Sequence, residues 1–134
     1  MIKRNIVLCF LVPLLISCAK EGVYIPNVAV NYKVTIQEFK ILAKNNVLIV
    51  PGEGVAGLLI VNTPFGYKAY DRCSSVNPEA MCKVTIDEGG ITATDPCTGA
   101  KFLLTDGSPA KAPAVRNLKA YTITESFQEL HITN

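Results

Sequence analysis

The sequence predicts an all-β fold, a sandwich or barrel of antiparallel strands. Three observations carry that expectation. From Val30 to Ile36 apolar and polar residues alternate, the period of a half-buried strand. Short apolar runs then recur at regular spacing, punctuated by Gly, Pro and Asn. After the first 26 residues no stretch sustains a helical period for more than about two turns.

Lys3 and Arg4 precede an apolar run from Ile6 to Ile16, too short to span a bilayer and suited to a signal-peptide core. Leu15-Ile16-Ser17-Cys18 resembles the lipobox of bacterial lipoproteins, which implies cleavage before Cys18 and a lipid on its thiol. An ordinary secretory signal with a chance cysteine is the alternative. The expected organisation is a lipoprotein signal peptide over residues 1–17, a lipidated tether over 18–26 and one β domain over 27–134. Membrane attachment would run through the lipid on Cys18, and several acyl chains give durable anchoring. The expected location is the cell envelope, on the outer membrane or the periplasmic face.

Val30–Ile36 is the first strand. Gln37–Ala43 allows one helical turn, since Phe39, Leu42 and Ala43 fall at helical spacing. Asn45-Asn46 turns the chain into Val47–Val50, and Pro51-Gly52-Glu53-Gly54 turns it out again. Gly57–Val61 is continuously apolar, the mark of a strand buried on both faces. Tyr67–Asp71, Lys83–Asp87, Gly90–Thr94, Phe102–Leu104, Leu118–Thr124 and Phe127–Ile132 complete the strands, with a tight Gly89-Gly90 hairpin turn among them.

Composition excludes several functions. Lys3 and Arg4 account for the excess of 13 basic over 11 acidic side chains, so the domain itself is near neutral. No basic stripe is present, and nucleic acid is not expected as a partner. With a single histidine, His131, a Ser-His-Asp set has little to work with, and the Cys/His spacing of a structural zinc site is missing. Of the five cysteines, Cys9 leaves with the signal and Cys18 takes lipid. Cys73, Cys82 and Cys97 remain, and in an oxidising compartment they suit one bridge and one free thiol.

The most specific motif is Asp95-Pro96-Cys97-Thr98-Gly99-Ala100-Lys101-Phe102. It resembles the second cluster-binding loop of a Rieske iron–sulfur domain, where the run reads Cys-Pro-Cys-His-Gly-Ser-x-Phe. Tyr70-Asp71-Arg72-Cys73-Ser74-Ser75 is similar to the first loop, Cys-x-His, and Asp106-Gly107-Ser108 with Ala112-Pro113-Ala114, Leu118 and Tyr121 resembles the closing loop and final strand. The earlier stretches from Ile25 to Tyr70 are similar to Rieske-like lipoproteins of the Bacteroidetes type. The resemblance implies three stacked antiparallel sheets with the two loops together at one end.

It also implies roles. Cys73, Ser75, Asp95 and Thr98 stand at the four cluster-ligand positions, and only Cys73 is a ligand type found there. A Rieske centre needs two thiolates and two imidazoles; hydroxyls and a hard carboxylate are poor substitutes. The family's loop-bracing disulfide falls on Cys82 and Cys97, a closure of about 15 residues worth roughly 3 kcal/mol. The loop after Ser75 is longer than the family's, so Cys73–Cys82 pairing stays open. Asp71 and Asp95 are expected to make local side-chain-to-backbone hydrogen bonds in a solvated loop, with a small acidic site shared with Ser75 and Thr98 as the lesser alternative. A free Cys73 is expected to be buried and inert, with activation by Arg72 as the lesser alternative.

Two functions are therefore expected. One is a non-enzymatic envelope lipoprotein with a cluster-free Rieske-like domain, no cofactor, and an envelope protein as a possible partner. The alternative is a Rieske-type electron carrier holding a [2Fe–2S] cluster through atypical ligands.

Overall fold

The computed structural model describes residues 24–134; the expected signal peptide and Cys18 lie outside the described residues. The strands are β1 Asn31–Thr35, β2 Val47–Val50, β3 Leu58–Thr63, β4 Gly66–Asp71, β5 Thr85–Ile86, β6 Thr92–Thr94, β7 Lys101–Leu103, β8 Pro109–Lys111, β9 Ala120–Ser126 and β10 Glu129–Thr133. A helix, α1, occupies Ile36–Leu42. Pairing is antiparallel throughout, in one sheet ordered β1-β10-β9-β4-β3-β2 and another ordered β5-β6-β7-β8.

The larger sheet folds on itself. β4 and β9 pair only at Ala69–Tyr121 and Tyr70–Ala120, so β1-β10-β9 lies over β2-β3-β4. Leu58 and Ile60 of β3 pack between those two layers with Val34, Phe39, Leu130 and Ile132. Leu59 and Val61 point the other way, into a second core with Tyr70, Val84, Phe102 and Leu104 beneath the small sheet. Three stacked layers result, with β3 in the middle. The apolar run that specified this strand is buried on both faces, as a central strand requires.

α1 is short, and its start is fixed by a capping box. The Thr35 hydroxyl accepts from the Glu38 N–H while the Glu38 carboxylate accepts from the Thr35 N–H. Phe39 anchors it edge-on to Tyr67, with ring centroids 5.2 Å apart.

Several sequence expectations shift. The Lys83–Asp87 strand shrinks to β5, because Lys83 bridges Cys73 and the Val84 N–H donates to the Arg72 carbonyl. At this point the chain leaves one sheet for the other. β6 starts at Thr92, since Gly89 and Gly90 sit at φ +91° and +70° in the preceding turn. β7 begins one residue early, and Leu118 and Lys119 form an approach to β9. β8 falls between the two parts of the expected closing loop, Asp106-Gly107-Ser108 and Ala112-Pro113-Ala114. Phe127 and Gln128 are not strand residues; with φ of 43° and 64° they make the two-residue tip of the β9–β10 hairpin. That tip and the Pro64-Phe65 turn lie at one end of the large sheet, and Asp71 with Lys119 lies at the other.

Candidate functional site

The loop after β4 and the loop between β6 and β7 meet at the Asp71 end. The first is shaped by its own backbone: the Ser74 N–H donates to the Cys82 carbonyl at 2.8 Å, closing Cys73–Cys82 over the turn at Pro78–Ala80. The second closes through Asp95 N–H to Ala100 and Gly99 N–H to Asp95, each 2.8 Å. Two ties join them. One is the Cys82–Cys97 disulfide, with Cα atoms 6.3 Å apart; Cys73 is the free thiol. The other is the Ser74 hydroxyl, which donates to Asp95 Oδ2 at 2.7 Å.

Asp95 is the hub. Only 1% exposed, it accepts from Ser74, from the Thr98 hydroxyl (2.8 Å) and from the Cys97 N–H (2.8 Å). Burial pushes its carboxyl up, but the bonds from Ser74, Cys97 and Thr98 outweigh that and hold it below its ordinary value. Asp95 and Thr98, two of the positions singled out in the sequence, therefore touch. Ser75 does not join them: its hydroxyl donates to the Arg116 carbonyl at 2.8 Å, tying the first loop to the segment before β9. Ser74, passed over in the sequence because the Cys-x-His spacing points to Ser75, takes the central place.

Asp71 belongs to a separate network. It accepts from the N–H groups of Val55 (2.6 Å), Ala56 (3.1 Å) and Cys73 (2.8 Å) and from the Tyr121 hydroxyl (2.7 Å). Gly54, at φ +68°, lets the turn approach this closely; a Cβ there would lie 2.5 Å from Asp71 Oδ2. The Tyr121 hydroxyl is pushed upward in pKa by burial and by its bond to Asp71. So Asp71 and Asp95 form no shared acidic site; they are two satisfied, distinct carboxylates. Each takes the expected local N–H, from Cys73 and Cys97, but both are buried rather than solvated. Asp106 is likewise occupied locally, by the Ser108 N–H and hydroxyl.

Cys73 is fully buried between the two networks, and its Sγ lies 3.6 Å from the Pro78 carbonyl. Burial, then Asp71, then Asp95, raise its thiol pKa to about 11. Arg72, the neighbour that the sequence offered as an activator, donates to the Val84 carbonyl. His131 is remote, on β10, with Nε2 2.7 Å from Asn31 Oδ1.

No family model and no curated protein matches the chain. Solved structures do. A cyanobacterial plasma membrane Rieske protein from Synechocystis PCC 6803 aligns with a TM-score of 0.57 at 23% identity, over 79% of this chain and 98% of its own. The fold is Rieske-like. A ferredoxin of Sphingomonas yanoikuyae B1 gives a TM-score of 0.56 at 14% identity, over 81% and 99%. The ferredoxin of carbazole 1,9a-dioxygenase from Nocardioides aromaticivorans IC177 gives 0.53 at 16%, over 78% and 94%.

The Rieske-like fold poses a test of its iron–sulfur centre, and this donor set does not fit it. Two imidazoles are required, yet the loops contain no histidine. The Thr98 hydroxyl is committed to Asp95, and the Ser75 hydroxyl to the Arg116 carbonyl.

Proposed function

We propose that the chain is a non-enzymatic envelope lipoprotein, anchored by lipid on Cys18, whose Rieske-like domain carries no [2Fe–2S] cluster and serves a structural or protein-interaction role. The observation that supports this reading is the Ser74–Asp95–Thr98 network. The Ser74 hydroxyl reaches across from the first loop and the Thr98 hydroxyl from within the second, both donating into a single carboxylate. A network of that kind holds the loops together without an inorganic centre, and the disulfide adds a covalent tie. The anchoring part rests on the lipobox-like Leu15–Cys18 run.

The chain purified anaerobically from iron-replete cells should be colourless, lack the visible absorption of an iron–sulfur centre, and contain no stoichiometric iron by elemental analysis. A brown preparation with two irons per chain would overturn this reading in favour of the electron-transfer alternative, which shares the same fold.

A further inference from the structure

We propose that reduction of the Cys82–Cys97 disulfide opens a site for a thiophilic divalent cation of the zinc class, with the two freed sulfurs and the Asp95 carboxylate as its protein ligands. This site uses neither Cys73 nor the positions of Ser75 and Thr98, and it goes beyond the cluster-free reading.

Placement carries the argument. The sulfurs of Cys82 and Cys97 and a carboxylate oxygen of Asp95 all lie within 4.8 Å of one another. Donor atoms at Zn–S and Zn–O bond lengths stand about 3.5–3.8 Å apart around a tetrahedral ion; once the bond is broken the two sulfurs are free to part to that spacing, and the carboxylate oxygen is already near it. Two thiolates with one carboxylate suit a borderline-soft ion such as Zn²⁺. Asp95 is buried, Cys82 half-buried and Cys97 exposed, so the group runs from the interior to the surface, where a water or a fourth donor can reach the ion.

The frame does not depend on the sulfur–sulfur bond. Cys82 is held by its carbonyl to Ser74 N–H, and Cys97 by its N–H to Asp95 Oδ1. The loops stay bridged by the Ser74 hydroxyl. Asp95 is itself aimed by three donors, the supporting shell a ligand carboxylate needs.

The chemistry balances with a dithiol as reductant. The Cys82–Cys97 bond breaks, the dithiol's two sulfurs form a new disulfide, and two electrons and two protons pass to the protein thiols. The cation then displaces those two protons.

The test uses the full-length chain carrying Cys9→Ser, Cys18→Ser and Cys73→Ser, so that Cys82 and Cys97 are its only thiols. Co²⁺ is titrated into oxidised and dithiol-reduced forms, with circular dichroism recorded on both. The reduced form should bind one Co²⁺ with a sulfur-to-cobalt charge-transfer band and tetrahedral visible absorption, release it to Zn²⁺, and lose it on reoxidation. Asp95→Asn should weaken binding at least about tenfold, and Cys97→Ser should abolish the band. The proposal is overturned by a reduced chain that binds none or unfolds, by equal binding to the oxidised form, or by unchanged affinity in a folded Asp95→Asn chain.

Discussion

Ser74 and Ser75 are adjacent and identical in chemistry, yet their hydroxyls serve different ends. Ser74 donates to a buried carboxylate, Ser75 to a backbone carbonyl in a half-buried place. A bond to a charged buried acceptor is worth more than one between neutral groups. Ser74→Ala should therefore cost about 2 kcal/mol and Ser75→Ala about 1 kcal/mol or less, measured by urea denaturation. Equal costs would contradict the assignment of Ser74 to Asp95. This distinction was not legible in the sequence, because two neighbouring serines cannot be told apart until the loop's backbone decides which faces inward. The Asp95–Thr98 pairing was nearer to hand, since a carboxylate and a hydroxyl three residues apart in a tight loop readily meet. The separation of Asp71 from Asp95 was hidden, as it depends on the Gly54 turn folding over from a distant part of the chain.

Among the elements, the small sheet has two contact points that substitution can test. At one, Gly90 rests against the Asn45 loop: a Cβ there would sit 2.1 Å from the Asn45 carbonyl oxygen, on a backbone already at φ +70°. Gly90→Ala should destabilise by about 3 kcal/mol, whereas Gly89→Ala, with nothing within 4 Å, should cost only its backbone strain. A thermal melt of the two variants separates these outcomes. At the other point Asp87 accepts from Thr92, Thr94 and Lys101, each at 2.6 Å. Burial pushes the Asp87 carboxyl up, but these partners outweigh it and hold the group below its ordinary value. An acid lowered in the folded state contributes stability above its unfolded pKa of about 3.9. That contribution disappears as pH falls through the folded value. Melting temperature should thus drop more steeply below about pH 4 in the native chain than in Asp87→Asn, and parallel curves would exclude the role. Strands with strong apolar runs, β2 and β3, were readable from the sequence. β5 and β6 were expected with longer bounds, because two or three residues are too few for a period to fix an end; β8, equally brief, was not expected as a strand, and the β9–β10 tip lacks the Asn-Gly signature that would have marked its turn.

For the molecule as a whole, β3 is the strand on which both cores depend. Leu59 is fully buried against the small sheet, and Leu58 and Ile60 against the outer layer. Leu59→Ala should cost about 3 kcal/mol, seen as a lower urea midpoint with an unchanged slope; a loss under 1 kcal/mol would mean that the second core is not closed around it. The route of the chain into the domain sets a further constraint. Tyr24 lies under the Arg116 guanidinium, 4.8 Å from the ring centroid, and with Ile25 and Asn27 it lines a cavity of about 610 Å³ shared with Ser75 and Pro78. From Cys18 to Tyr24 the polypeptide can reach no more than about 22 Å, at 3.3–3.6 Å per residue. An acylated Cys18, as proposed above, would keep the braced loops within that reach of the lipid headgroups, with the exposed Phe65 and Phe127 tips at the end of the large sheet away from the tether.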